Sequence, residues 1–463
     1  MKKLILTAFS LFLGLTSFSQ KQTDKWYFGN GGALDFATGT PSVIAPGNGS
    51  YAPSEGCSVI SDAAGNLLFY TDGMNVYDKT HSLMANGSGL NGGLSSTQAA
   101  LIVLQPGSNG IYYIFTTDDF VGANGLQYSI VDMNLASGNG SVTVKNTMLM
   151  TPMTEKVAAV KDPFNNRYWI LAHQWGNTSF NAYALTGSGL ASPVISNVGT
   201  AHTGTPQNSY GQMKFNPCGN KIALTVSYLD IWELLDFNTN TGVVSNAQTF
   251  YQTDKTYGIE FSAEASKVYV STYDANKTLV QYDVSLPTTM AIATSEATIS
   301  TTPATYGLQI GNDGKIYVDK GFSQYVGVVN TPSLAGIACN YQDMQVDLDP
   351  MFNGIQAALS LPGFPANYFM PVGFTCPAVL TGVNEISVKD PMPAIYPNPS
   401  VNDFSIHTST TNTFEVYSYT GNLIETIYTE KNSTVKFGEN YAKGIYFVKP
   451  TAGKTGGVKV IKQ

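Results

Sequence analysis

The chain has 463 residues, only 12% of them charged, and a formal charge of −8. Its 24 basic residues are scattered and outnumbered by 32 acidic ones, which excludes a nucleic-acid-binding surface. Gly, Tyr, Phe, Asn, Ser and Thr are abundant and 43% of the residues are hydrophobic. That composition suits many short strands and tight turns around a sizeable core, not helices.

The N-terminus predicts a secretory signal peptide over residues 1–19. Lys2 and Lys3 supply a positive end, Leu4 to Phe18 a mostly apolar stretch, and Ser17 and Ser19 small residues before a cut at Gln20. Thr7, Ser10, Thr16 and Ser17 interrupt the run, which disfavours a membrane anchor, and there is no cysteine at the cut to carry a lipid. No other apolar stretch approaches the roughly 18 residues that span a bilayer.

From residue 20 to 376 one design recurs. A short apolar run opens beside a glycine or small residue, and a turn rich in Asn, Asp and Gly follows it. The runs start at Gly56, Thr97, Lys156, Gly211, Gly258, Gly307 and Gly354. A recurring β unit of roughly 40–50 residues is the signature of a β-propeller blade. The repeat at Gly258 gives the full blade pattern: Gly258 to Phe261, then Lys267 to Tyr273, then Thr278 to Val284, with an outer strand inside 291–299. The expectation is an all-β chain with a seven-bladed propeller. Too little chain follows Gly354 for a whole blade. Trp26-Tyr27-Phe28-Gly29 and Ala33-Leu34-Asp35-Phe36 read as outer strands that close this last blade and remove the open seam. An independent hairpin over 25–36 is the alternative.

Of four cysteines, Cys339 and Cys376 flank the end of the repeats and form the favoured disulfide. Cys57 and Cys218 read as buried small apolar residues. No CxxC spacing points to zinc or thiol redox chemistry, and no metal or cofactor is expected.

There is no GxSxG, HExxH, P-loop or GxGxxG at a strand–helix junction, so no catalytic signature stands out. His81, His173, His202 and His407 lie far apart in sequence and read as structural or surface residues. Asp118 and Asp119 read as a solvated turn. Asp343, Asp347 and Asp349 depart from the ligand spacing of a calcium loop. The better candidate is positional. Residues just before or at each inner strand belong at one mouth of the central channel: Glu55, Ser96, Glu155, Tyr210, Tyr257, Tyr306 and Asn353. Three tyrosines, two acids and small polar groups on one rim suit a sugar or a peptide. A role in packing the strand starts is the alternative.

Several segments of the first half carry a resemblance: Trp26-Tyr27-Phe28-Gly29, Glu55-Gly56-Cys57, Phe69-Tyr70-Thr71-Asp72-Gly73, Ser95-Ser96-Thr97-Gln98 and Tyr112-Tyr113-Ile114-Phe115-Thr116. They resemble the propeller-type extracellular region of large secreted Bacteroidetes proteins. The resemblance implies export and carries no activity.

Residues 377–393, with Pro377, Pro391 and Pro393, read as a linker. Residues 394–463 alternate like a small β-sandwich. Tyr396-Pro397-Asn398-Pro399, Gly421, Gly444, Tyr446 and Lys459 follow in order. This segment resembles the type A C-terminal sorting domain of the Bacteroidetes type IX secretion system. The resemblance implies the type IX machinery as partner, a secreted or cell-surface location, and membrane association only through surface attachment.

The function expected is non-catalytic binding or adhesion to a glycan or peptide. The alternatives are a secreted polysaccharide lyase or glycosidase on a propeller scaffold, with Glu55 and Glu155 as the acid pair, and a structural component of a surface assembly.

Overall fold

Short apolar runs become strands here because Asx turns close the hairpins between them. Asp62 Oδ1 accepts from the amides of Ala64 and Asn66, at 2.8 and 2.9 Å, while Gly65 takes a φ of +91° that a side chain would resist. Asn216 repeats the device through the amides of Asn220 and Lys221. The computed structural model describes residues 20–463 apart from 274–277, 304, 352, 372–373, 375, 377–393, 420 and 452–457. The expected leader, 1–19, and linker, 377–393, lie outside the described residues. Two compact units result, Met1–Pro377 and Ala378–Gln463.

In the first unit, Lys25–Phe28, Gly32–Asp35 and Ser42–Val43 form a three-stranded antiparallel sheet. Meandering sheets follow in chain order. Ser58–Ser61, Leu67–Thr71, Asn75–Asp78 and Leu83–Ser88 make one, and Ala100–Leu104, Ile111–Thr117, Leu126–Asp132 and Ser141–Met150 the next. A parallel pairing of Ser141 with Ala85 joins these two at their outer edges. Met153–Lys161, Tyr168–Gln174 and Ser179–Thr186 come next, the third strand pairing both Gly189–Leu190 and Val194–Asn197. Three further sheets begin at Met213–Phe215, Thr256–Phe261 and Leu308–Ile310, each with four strands in chain order.

Neighbouring sheets share apolar layers. Leu101, Val103 and Phe115 pack with Val157, Ala159 and Ile170. Val160 and Leu171 pack with Met213, Phe215 and Leu224, and Trp232 and Leu234 with Ile259, Phe261 and Val268. Both faces of these sheets are buried, so the inner runs are continuously apolar instead of alternating. One outer strand differs from expectation: Thr289–Thr294 is a helix capped by the Thr288 hydroxyl, and the strand is Ala297–Ser300.

The run at Gly354 also differs, forming no strand of its own. Asp349 accepts from the amides of Asn353 and Gly354, at 2.6 and 2.7 Å, and holds the chain in a turn. Gln356 then exchanges backbone hydrogen bonds with Asn30, at 2.9 and 3.1 Å, and so adds itself to the N-terminal sheet. Trp26, fully buried, lies against Phe36 at 4.7 Å, Tyr317 at 5.4 Å and Phe364 at 5.9 Å between ring centroids.

Beyond Gln356 the chain runs from one inner strand to another. The Gly307 amide donates to Leu359, the Leu359 amide to Ser54 and the Gly363 amide to Cys57. Asn367 accepts from the Lys161 amide. This path brings Cys376 to the turn after Phe215, where it is disulfide-bonded to Cys218, with Cα atoms 5.6 Å apart. The expected Cys339–Cys376 bond is thereby corrected. Cys339 is a free, fully buried thiol in the apolar cluster that contains Trp26, and Cys57 is also free and buried.

In the second unit, Ile395–Tyr396, Phe404–Thr408 and Ser433–Phe437 form one sheet. Leu423–Thr429, Asn412–Ser418, Gly444–Pro450 and Val458–Lys462 form another. Phe404, Ile406, Phe414, Val416, Val448 and Val460 fill one core between them. No helix among the described residues is long and apolar enough to cross a membrane.

Candidate binding site

The inner strands start side by side. The Gly56 amide donates to Ser96, and that of Gln212 to Tyr257. Ser271 Oγ donates to the carbonyl of Tyr306, and the series continues through Gly307, Leu359 and Ser54. Glu55, Ser96, Glu155, Tyr210, Tyr257 and Tyr306 therefore gather in one place. Asn353 does not join them. It is exposed and held in the Asp349 turn, and Leu359 occupies the corresponding place. Ser96 is fully buried against the Thr117 hydroxyl at 2.6 Å.

Two acids form the floor. Glu55 is 8% exposed and accepts from Tyr257 Oη at 2.6 Å and Ser95 Oγ at 2.8 Å. Burial, with Glu155 and Asp119 adding to it, pushes its carboxyl up to about 7 against these two bonds. Glu155 is fully buried. Its oxygens accept from the Thr97 amide and hydroxyl, the Phe120 amide and the Ser209 hydroxyl. Lys156 lies beside it, also fully buried, and donates to the carbonyls of Ser209 and Tyr210 at 2.7 and 2.8 Å. Burial pushes Glu155 up and Lys156 down to about 7.

Above the floor stands a crescent of two ring groups. Phe120 meets Tyr210 edge-on at 5.5 Å, and Tyr210 meets Tyr228 at 6.2 Å. Tyr257 meets Tyr306 at 5.6 Å, and Tyr306 stacks on Tyr273 at 5.8 Å. The Lys255 ammonium bridges the two groups, 4.7 Å from the Tyr228 centroid and 5.9 Å from that of Tyr273. The Phe120 amide donates to Glu155 and the Tyr257 hydroxyl to Glu55, which places crescent and floor in one site; burial, then Glu155 and Glu55, and also Asp119, push the Tyr210 phenol well up. Phe120 and Val121 both hold left-handed backbone, at φ +48° and +62°. That conformation is costly for an aromatic and a β-branched residue. The Phe120–Glu155 bond pins this loop and leaves the Phe120 ring 48% exposed. Phe120, Tyr228 and Tyr273 carry no sequence signal of their own, because they stand away from the repeat starts, and Lys255, two residues before Tyr257, is a single basic residue that no pattern marks.

Two of the histidines are brought together. His173 and His202, distant in sequence, stack with ring centroids 3.8 Å apart and are fully buried. Among the described residues no side chain hydrogen-bonds any of their four nitrogens. Burial holds His173 down to about 3 and His202 well below its usual range, and Lys156 adds to both. The remaining carboxylates are committed elsewhere. Asp118 accepts from the Asn124 amide, Asp343 from Lys320 and Tyr341, and Asp347 from Gln324. No group of three metal-ligating side chains occurs among the described residues.

In the second unit, Asn398 links the first strand to the last. Its amide donates to the Lys459 carbonyl at 2.8 Å and its carbonyl accepts from Ile461 at 3.0 Å. Tyr396 pairs with Ser405 and Gly444 with Lys462. Gly421, at φ +85°, turns the chain, and Tyr446 Oη donates to Ala442.

Residues 394–463 match the family of secretion system C-terminal sorting domains. This domain marks proteins that the type IX system carries to the cell surface or extracellular space, so the chain is an exported protein. No curated protein sequence matches it. Among solved structures it is similar to propeller-type proteins. A periplasmic gluconolactonase from Pseudomonas aeruginosa is 12% identical, with 74% of this chain and 99% of that one covered and a TM-score of 0.46. A protein from Lactobacillus plantarum is 12% identical, covering 73% and 99%, with a TM-score of 0.47. A quinonprotein alcohol dehydrogenase-like protein from Bacteroides thetaiotaomicron is 13% identical, covering 68% and 74%, with a TM-score of 0.39. At such identities and scores none of their chemistry passes to this chain.

Proposed function

We propose that the first unit is a seven-bladed propeller, closed by its N-terminal strands, that binds a ligand without catalysis at the mouth where the inner strands start. The second unit is a β-sandwich that the type IX machinery reads, after a signal peptide over 1–19 has directed the chain across the inner membrane. The linker 377–393 is then the cleavable tether between the two. The observation that carries the binding reading is the crescent of two ring groups from Phe120 to Tyr306, joined through Lys255, above a buried acid floor. Such rings offer large apolar faces at low entropic cost, and the hydroxyls fix orientation.

Glycoside hydrolysis needs two available carboxyls roughly 5–9.5 Å apart. Glu155 has four hydrogen-bond donors around it and no exposure, so it supports the mouth instead of facing a substrate. One observation favours the enzyme reading: Glu55, at about 7, is poised like a general acid. The discriminating experiment is a screen of the full chain on an array of glycans and peptides, with Phe120, Tyr210 and Tyr228 replaced together by Ala. These rings are partly exposed, so their loss spares the core. At least a tenfold loss of binding is expected. A folded triple variant that binds like the parent would overturn the assignment, and turnover of an array ligand that Glu55→Gln abolishes would establish the enzyme reading in its place.

A further inference from the structure

We propose that the mouth takes a cationic side chain, arginine or lysine, presented by a protein or peptide partner. The inference rests on the binding reading and names the chemistry of its ligand. The ring faces carry the first part of the argument. Aromatic faces attract ammonium and guanidinium groups lying within about 6 Å of their centroids. The chain's own Lys255 already holds this geometry over Tyr228 and Tyr273, so the rings on that side are turned to receive a cation. Phe120 and Tyr210 continue the wall; Phe120 follows Asp119 in the chain, and Ser95 donates to both Asp119 and Glu55, from its amide at 3.1 Å and its hydroxyl at 2.8 Å.

Charge carries the second part. Glu55, Glu155 and Asp119 all act on the one Tyr210 phenol. Lys156 follows Glu155 directly in the chain and attracts its charge, while its ammonium donates to two backbone carbonyls. Among the described residues no lysine, arginine or histidine lies within ion-pair distance of Glu55 or Asp119. A neutral sugar would leave Glu55 and Asp119 without a cation beside them, and an anion would be repelled. A cation would relieve the mutual repulsion of the floor while its stem and flanking chain lie along the rings. Each Glu55 oxygen accepts one hydrogen bond, and a carboxylate oxygen accommodates two, so the group retains capacity for a guanidinium. The outer rings, Phe120 at 48% and Tyr228 at 42% exposure, extend the wall beyond a single side chain, which suits a segment of polypeptide.

The test uses the full chain and fluorescein-labelled nonapeptides of glycine, serine and tyrosine that differ only at the central residue. That residue is arginine, lysine, citrulline or glutamate, and neutral oligosaccharides serve as competitors. Fluorescence polarisation should show the arginine and lysine peptides binding at least tenfold more tightly than the citrulline peptide, which keeps shape and loses charge. Glu55→Gln and Asp119→Asn should each reduce arginine-peptide binding at least tenfold, with melting temperatures confirming that both fold. Equal binding of the citrulline peptide overturns the inference, as does unaltered binding by both folded variants. Failure of all four peptides to bind overturns it too. Oligosaccharide binding lost in the Phe120, Tyr210 and Tyr228 triple variant but kept in Glu55→Gln would sink the cation while leaving the binding reading intact.

Discussion

Tyr257 donates a 2.6 Å hydrogen bond from its hydroxyl to Oε2 of Glu55, a residue 202 positions earlier in the chain. The two belong to sheets that are not consecutive, so the bond is made across the mouth. It also opposes the burial that lifts Glu55 to about 7. A carboxyl raised from 4.5 to about 7 is protonated more readily in the folded than in the unfolded chain. Its favourable contribution is therefore present at low pH and is lost as pH rises from 4.5 to 7. Tyr257→Phe removes the donor and raises Glu55 further. The expected cost is about 1–3 kcal/mol at pH 8, where the carboxylate is ionised, and clearly less at pH 5. Thermal melts at both values decide it, and equal losses would show that Tyr257 does not act through the Glu55 charge.

His173 and His202 give the opposite slope. Both rings are neutral in the fold, and an unfolded chain takes up their two protons as pH falls below 6.5. Stability from this pair therefore declines on acidification, by up to about 1.4 kcal/mol per pH unit for each ring. Glu55 opposes this between 7 and 4.5. Asp319, raised by burial to about 8, opposes it over a wider window. Lys156 acts only above 7, between its folded value and 10.5. Replacing both histidines by Phe keeps a stacked pair and removes the titration. Relative to the parent, the double variant should gain about 2–4 kcal/mol between pH 7 and pH 5 in urea melts. Stability curves that run parallel over that range would contradict the buried, unpartnered arrangement.

Ring closure is tested at Trp26. Its indole donates to Thr23 and its ring touches Tyr317 and Phe364, which belong to the far end of the unit in sequence. Trp26→Ala should cost about 3–5 kcal/mol. Hydrogen exchange should quicken in Leu308–Ile310 and Ile316–Val318 as well as in Lys25–Phe28. Deleting residues 20–40 should lower the melting temperature of the whole unit. Fraying confined to 25–36 would instead identify an independent hairpin.

The inner strands at Gly211, Gly258 and Gly307 were legible because burial on both faces leaves an uninterrupted apolar run between turn residues. Tyr210, Tyr257 and Tyr306 were legible with them, each standing directly before such a run. Asn353 was misplaced for a local reason. The Asp349 cap delays the chain by several residues, so Leu359 takes the equivalent position. Long-range neighbours left no periodic trace. The Cys218–Cys376 bond depends on the path taken after Gln356, and the His173–His202 stack on a loop folding back over its own sheet. Phe120 was hidden because its display depends on left-handed backbone held by Glu155, which a residue of that type does not advertise.

The sorting domain offers a test at a single side chain. Asn398 sits in the turn after Ile395–Tyr396 and makes two hydrogen bonds to the last strand, at Lys459 and Ile461. The Ser400 amide adds a third link, to Ile461, and the Gln463 amide a fourth, to Ser400. The two ends of the domain are thus tied together through a few polar contacts at an exposed edge. Asn398→Ala leaves the core of Phe404, Phe414 and Val448 intact and should cost about 1–2 kcal/mol. If the machinery reads the joined ends, export should fall severalfold while the folded first unit accumulates in the periplasm. Removing 394–463 should stop export entirely and leave the first unit folded. Wild-type levels of the truncated chain outside the cell would show that the first unit carries its own export signal. Normal export of a destabilised Asn398→Ala variant would place the recognised surface elsewhere on the domain.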